Sequence, residues 1–92
     1  MTIYQKAIAK WGKEPQIRQC MEECAELIQA LNKYLRAEAA GDRKEAEARV
    51  REEMADVDIM LWQMASIFGV YTEEWEAKAA RLERRLEDEP DE

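Results

Sequence analysis

An all-α chain organised around one antiparallel helical hairpin is the fold class these 92 residues predict. Three observations carry it. Apolar residues recur at three- and four-residue spacing along two stretches of roughly 25 residues each. Only three Gly and two Pro interrupt the chain. No stretch alternates apolar and polar residues as a half-buried strand does. The two long stretches are separated by a residue or two around Gly41, so they lie antiparallel. A hairpin of that length cannot cover its apolar faces with short flanking helices. The predicted architecture is therefore a four-helix bundle completed by dimerisation, as a homodimer or homotetramer.

Thr2 is the expected N-cap of a short first helix carrying Ile3, Tyr4, Ala7, Ile8 and Trp11, and Gly12 ends it. Glu14 and Pro15 open the second helix, where a proline's missing N–H costs nothing. Its apolar stripe runs through Ile17, Cys20, Cys24, Leu27, Ile28, Leu31, Tyr34 and Leu35 to Ala40, and Gly41 stops it. Asp42 is expected to cap the third helix, with Glu45 as the other half of a capping box. That helix runs from about Arg43 to Phe68, with Val50, Met54, Val57, Leu61, Met64 and Phe68 on its apolar stripe, and Gly69 ends it. Thr72 is expected to cap a fourth helix with Glu73 and Glu74 in its first turn and Trp75, Ala79, Leu82 and Leu86 on its apolar side. Residues 1–88 are expected to form one domain, and 89–92 an acidic disordered tail.

Composition narrows the function. Twenty-one acidic against 14 basic residues give a net charge of -7, which argues against a nucleic-acid-binding face. No apolar run has the length of a membrane span and no signal-peptide core opens the chain, so the expected location is cytoplasmic, with no membrane partner. Cys20 and Cys24 form no CxxC pair and read as small core residues. Histidine is absent, which removes His-based acid–base catalysis, serine-type triads and ordinary zinc sites. Any chemistry must come from carboxylates, Lys, Arg, Tyr and water.

Glu53 falls inside the apolar stripe of the third helix, and Asp56 lies on its edge. A buried carboxylate without a partner costs several kcal/mol, so Glu53 must be paired, neutral or metal-bound. Glu22, Glu23 and Glu26 form a second acidic group on the preceding helix. Glu26 and Asp56 stand 15 residues before and after Gly41, which puts them at one height in an antiparallel hairpin, with Glu23 and Glu53 close by. Four converging carboxylates without His or Cys suit a hard divalent cation, Mg²⁺ or Mn²⁺. The alternative is a set of ordinary ion pairs, Glu22 with Arg18 and Glu53 with Arg49. Glu26 lies well away from its own helix's apolar stripe and joins such a site only if that flank faces a cleft or partner helix.

The run Glu22-Glu23-Cys24-Ala25-Glu26, followed after 26 residues by Glu53-Met54-Ala55-Asp56, resembles the EExxE…ExxD signature of the MazG-like, all-α nucleoside triphosphate pyrophosphohydrolases. The similarity extends over roughly residues 11 to 70. It implies hydrolysis of a nucleoside triphosphate between the α and β phosphates. It also implies Glu23, Glu26, Glu53 and Asp56 as Mg²⁺ ligands, with Glu22 and Glu23 at the catalytic positions and Glu22 as a further ligand or the base for water. The family uses basic residues after the third helix to hold phosphates. Lys78 and Arg81 stand there, with Arg84 and Arg85, but without the accompanying Asn.

Trp11 is a candidate for stacking on the base, against a plain core role, and Lys13 and Gln19 are within reach of a nucleotide. Trp62 and Trp75 read as core or subunit interface. The competing function is an inactive helical interaction or adaptor module on the same bundle.

Overall fold

The computed structural model describes residues 1–88, which form four helices: α1 Ile3–Trp11, α2 Lys13–Ala40, α3 Lys44–Phe68 and α4 Thr72–Asp88. There is no strand among the described residues, and the tail expected at 89–92 lies outside them. None of the described helices is long and apolar enough to cross a membrane.

Thr2 caps α1 through a complete capping box. Its hydroxyl accepts from the Gln5 N–H at 3.1 Å, and the Gln5 side chain accepts from the Thr2 N–H at 2.9 Å. Gly12 alone joins α1 to α2, at φ +95°, a backbone conformation that side-chain-bearing residues rarely adopt. It donates to the Ile8 carbonyl and accepts from the Gln16 N–H, so one residue ends one helix and starts the next. The second helix consequently begins at Lys13, ahead of the proline.

At the hairpin turn Gly41 is left-handed. Asp42 donates to the Ala37 carbonyl at 2.9 Å and Gly41 to the Glu38 carbonyl at 3.0 Å, a Schellman closure. This geometry overturns the expected Asp42/Glu45 capping box. The N-cap of α3 is Arg43, which makes no side-chain capping bond; Asp42 is one residue too early, and its N–H already closes α2. Arg43 instead bridges toward Glu47 at 3.6 Å and Glu38 at 4.0 Å. Thr72 is likewise displaced from the capping position. It is the first helical residue of α4, and Tyr71 supplies the first carbonyl, to the Trp75 N–H.

The hairpin is antiparallel, but its register differs from a count outward from Gly41. Gln16 hydrogen-bonds Gln63 across the seam at 2.7 Å, and Leu31 and Tyr34 share a hollow with Glu47 and Val50. The Gln16–Gln63 contact lies three residues, or about 4.5 Å, from the register in which Glu26 meets Asp56, while the hollow lies about one residue from it. Glu53, rather than Asp56, joins Glu23 and Glu26.

The seam itself is unusually polar. Its buried residues are Gln16 and Ala30 on α2 and Glu53, Met60 and Gln63 on α3. The expected α3 stripe is split: Glu53 is buried and Val50, Val57 and Met64 are half-buried, while Met54, Leu61 and Phe68 are exposed, Phe68 by 69%. Ile28, Leu31 and Leu35 on α2 are exposed too, and Cys20 and Cys24 are half-buried free thiols. α1 packs against α3 and α2, where Tyr4 stacks on Trp62 with ring centroids 5.9 Å apart. None of the Cα atoms of α4 comes within 8 Å of those of another helix; its first turn, at Glu74 and Trp75, borders hollows shared with α3.

Candidate functional site

Gln19, Glu23 and Glu26 follow one another along α2 at steps of four and three, which sets them on one helix face. Glu53 meets that face from α3. One carboxylate oxygen from each of Glu23, Glu26 and Glu53 lies within 4.8 Å of the other two.

Glu53 is the most deeply buried large side chain of the described residues, 1% exposed. Its Oε1 forms an ion pair with the Arg49 guanidinium at 2.8 Å, while its Oε2 is buried with no hydrogen-bond partner. Arg49 is more than half exposed and also reaches Glu52, at 3.5 Å. Glu23 is arranged in the same half-satisfied way: Oε1 accepts from the Gln19 amide at 2.8 Å, and Oε2 is buried and unpartnered. Burial pushes the Glu23 carboxyl above the ordinary carboxylate range; the Gln19 amide opposes this, and the nearby charges of Glu26 and Asp56 push it further.

Two of the expected ion pairs are thereby decided. Arg49 does pair with Glu53, whereas Arg18 pairs with Glu14 at 2.8 Å and leaves Glu22 to solvent. Asp56 is exposed and stands outside the oxygen trio, near enough for its charge to act on Glu23. Glu26 belongs to the trio although it is exposed, which means that the site opens to solvent along the α2 flank.

Beside it, Trp11, Pro15, Gln16 and Gln19 line a recess of about 430 Å³. Gln19 therefore forms part of both the recess wall and the acidic site. Trp11 is 57% exposed at the rim, with the Lys10 ammonium 5.4 Å from its ring centroid. Lys13 is exposed on the first turn of α2. Lys78 and Arg81 lie on α4, so within one chain the fold does not bring them to the acidic cluster.

Lys10 and the Gln16–Gln63 pair are additions that sequence reasoning did not single out. Lys10 carried no signal beyond standing next to Trp11. The glutamines did: Gln16, Glu23 and Ala30 recur every seven residues, the period of a helix seam.

The donor set is all carboxylate oxygen, and a Mg²⁺ ion takes such ligands at about 2.0–2.1 Å, with trans ligands therefore about 4 Å apart. The three oxygens, within 4.8 Å of one another, would have to draw closer to ligate one such ion. Two buried oxygens without donors, one from each helix, supply the reason a cation would be drawn there. No family model matches this chain, and neither does any curated protein or solved structure in the comparisons made.

Proposed function

We propose that the chain is a divalent-metal-dependent nucleoside triphosphate pyrophosphohydrolase, releasing a nucleoside monophosphate and pyrophosphate. The observation that carries it is the pair of buried, unpartnered oxygens, Glu23 Oε2 and Glu53 Oε2, in a three-carboxylate cluster opening beside an aromatic-rimmed recess. The resemblance of the EExxE…ExxD residues supplies the choice of reaction. Glu23, Glu26 and Glu53 are assigned to hold Mg²⁺ or Mn²⁺, with Asp56 joining from the open flank. Bound metal would lower the pKa of a coordinated water and offset the phosphate charge.

Water attacks the α-phosphorus, the bond to the oxygen bridging α and β phosphates breaks, and pyrophosphate departs with that oxygen. Glu22, which is exposed, is assigned to accept the proton from water. Trp11 stacks on the base within the recess, and Gln19 and Lys13 contact the sugar or phosphates. The exposed apolar residues of α2 and α3 support closure of two hairpins into a four-helix bundle, as a dimer or a dimer of dimers.

A panel of NTPs and dNTPs with Mg²⁺, assayed separately for pyrophosphate and orthophosphate, tests this reading. Pyrophosphate and monophosphate are expected, and only with metal. Orthophosphate with a diphosphate product would place the cut at the wrong bond. A second reading, an inactive interaction module, is favoured by the Arg49–Glu53 ion pair, which already satisfies half of the buried carboxylate. Inactivity across the panel together with no Mg²⁺-induced stabilisation would select it.

A further inference from the structure

α4 is a long amphipathic helix that its own chain leaves uncovered. Trp75, Leu82 and Leu86 are each more than half exposed; Trp75 borders a hollow of about 380 Å³ shared with Trp62 and Ala65 of α3, but no Cα of another helix comes within 8 Å of α4. Ala79 completes the stripe, so the apolar positions advance by four, three and four residues, which is the a/d spacing of a coiled-coil seam. In that frame Trp75 and Leu82 are d positions and Ala79 and Leu86 are a positions. The flanking e positions are Glu76 and Glu83; the flanking g positions are Lys78 and Arg85. One edge of the stripe is thus acidic and the other basic.

That segregation determines which occupant the stripe fits. In a parallel pair of identical helices, each g residue faces the e residue of the following heptad on the other helix. Lys78 then faces the partner's Glu83, and symmetry repeats the contact. In an antiparallel pair g faces g and e faces e, which sets Lys and Arg against each other and Glu against Glu. We infer that α4 pairs in parallel with α4 of a second copy of this chain, burying Trp75, Ala79, Leu82 and Leu86 along a twofold axis. A 17-residue helix is marginal by itself, so the pairing acts within the full chain. This assignment is independent of the catalytic reading and gives Lys78 a partner-binding role.

Two measurements on the full-length protein test it. With Cys20→Ser and Cys24→Ser as background, Leu86→Cys is oxidised mildly and the fraction of disulfide-linked dimer is followed. Parallel pairing places the two introduced thiols side by side, so rapid, near-complete crosslinking is expected. Antiparallel pairing, or docking of α4 on the partner's hairpin, separates them and gives none, and either result overturns the inference. In sedimentation equilibrium, Lys78→Glu should weaken the dimer about tenfold, because two attractive contacts become repulsive. The charge-swapped double variant, Lys78→Glu with Glu83→Lys, should restore it. Residues 78 and 83 lie on opposite edges of one helix, so rescue requires contact between chains. A monomeric wild-type protein, or a Lys78→Glu variant that dimerises unchanged, would also overturn the pairing.

Discussion

The Arg49 guanidinium stands 2.8 Å from Oε1 of Glu53, one turn away along α3, and the other oxygen of that buried carboxylate has no partner. Four-residue spacing brings the two side chains together, but only Glu53 faces the seam. Arg49 remains mostly in solvent, so its attraction is screened while the carboxylate's loss of hydration is not. A carboxylate held this way is partly neutralised in the free protein and keeps one oxygen for another cation.

Replacing Arg49 by Gln should therefore act differently with and without metal. Without a divalent ion, the variant loses the partner of a buried charge and should be about 1–2 kcal/mol less stable, the solvent exposure of Arg49 keeping the cost below that of a fully buried pair. With millimolar Mg²⁺ most of that loss should be recovered, because the ion replaces the missing positive charge and no longer competes with Arg49. Thermal melts of both proteins, with Mg²⁺ and with chelator, measure the difference. An equal loss under both conditions would mean that the pair is structural and that no cation enters beside it.

Glu23 should contribute to the acid response of the metal-free protein. Its carboxyl is raised in the folded state above the ordinary value of 4.5, chiefly by burial and then by Glu26 and Asp56. An acid raised on folding penalises the folded state once the pH exceeds its folded pKa. As the pH falls through that value toward 4.5, the folded protein takes up the proton first, and the penalty is withdrawn. Metal-free wild type should gain stability over this interval relative to Glu23→Gln, which lacks the titrating group. Mg²⁺ stabilisation should change in the opposite sense, since the ion requires the ionised carboxylate. Parallel pH dependences for the two proteins would show that Glu23 is not the group responsible.

The helices and their order were legible because apolar periodicity and three glycines are local signals. The acidic site was legible as a set of residues, since EExxE and ExxD each lie on one helix. What the sequence left open was rotation and register. The expected stripe held Glu53, Val50, Val57 and Met64, which are buried or half-buried, together with Met54, Leu61 and Phe68, which are exposed, and it left out the buried Met60 and Gln63. A wheel ranks faces by hydrophobicity, and the apolar residues of α3 spread over more of its circumference than its own hairpin covers. That Glu53 rather than Asp56 joins Glu23 and Glu26 depends on the geometry of the turn and on the Gln16–Gln63 contact, neither of which a count from Gly41 contains.

Glu53→Gln separates metal binding from stability. The amide retains an oxygen for Arg49 and removes one negative charge beside Glu23 and Glu26, so metal-free stability should change by less than about 1 kcal/mol. The Mg²⁺-induced rise in melting temperature and any pyrophosphate release should both be lost. Retention of the Mg²⁺ response would place the ion elsewhere and remove Glu53 from the ligand set.

Gln16 and Gln63 give the most direct test of what sets the register. Their side chains meet at 2.7 Å and both residues are buried, so each is the other's compensation for leaving water. Gln16→Ala strands the Gln63 oxygen and should cost about 1–3 kcal/mol. Gln16→Leu with Gln63→Leu removes both polar groups, and its stability should return to near or above wild type because nothing is stranded. Stability and alignment then part company: leucines pack without fixing a donor against an acceptor, so the hairpin loses a contact that favours one register. Since Glu53 meets Glu23 and Glu26 only in that register, the double-leucine protein should melt at or above the wild-type temperature yet bind Mg²⁺ more weakly. Titration calorimetry beside thermal denaturation checks both halves. A double variant with undiminished Mg²⁺ affinity would show that the turn and the remaining packing are enough to align the carboxylates.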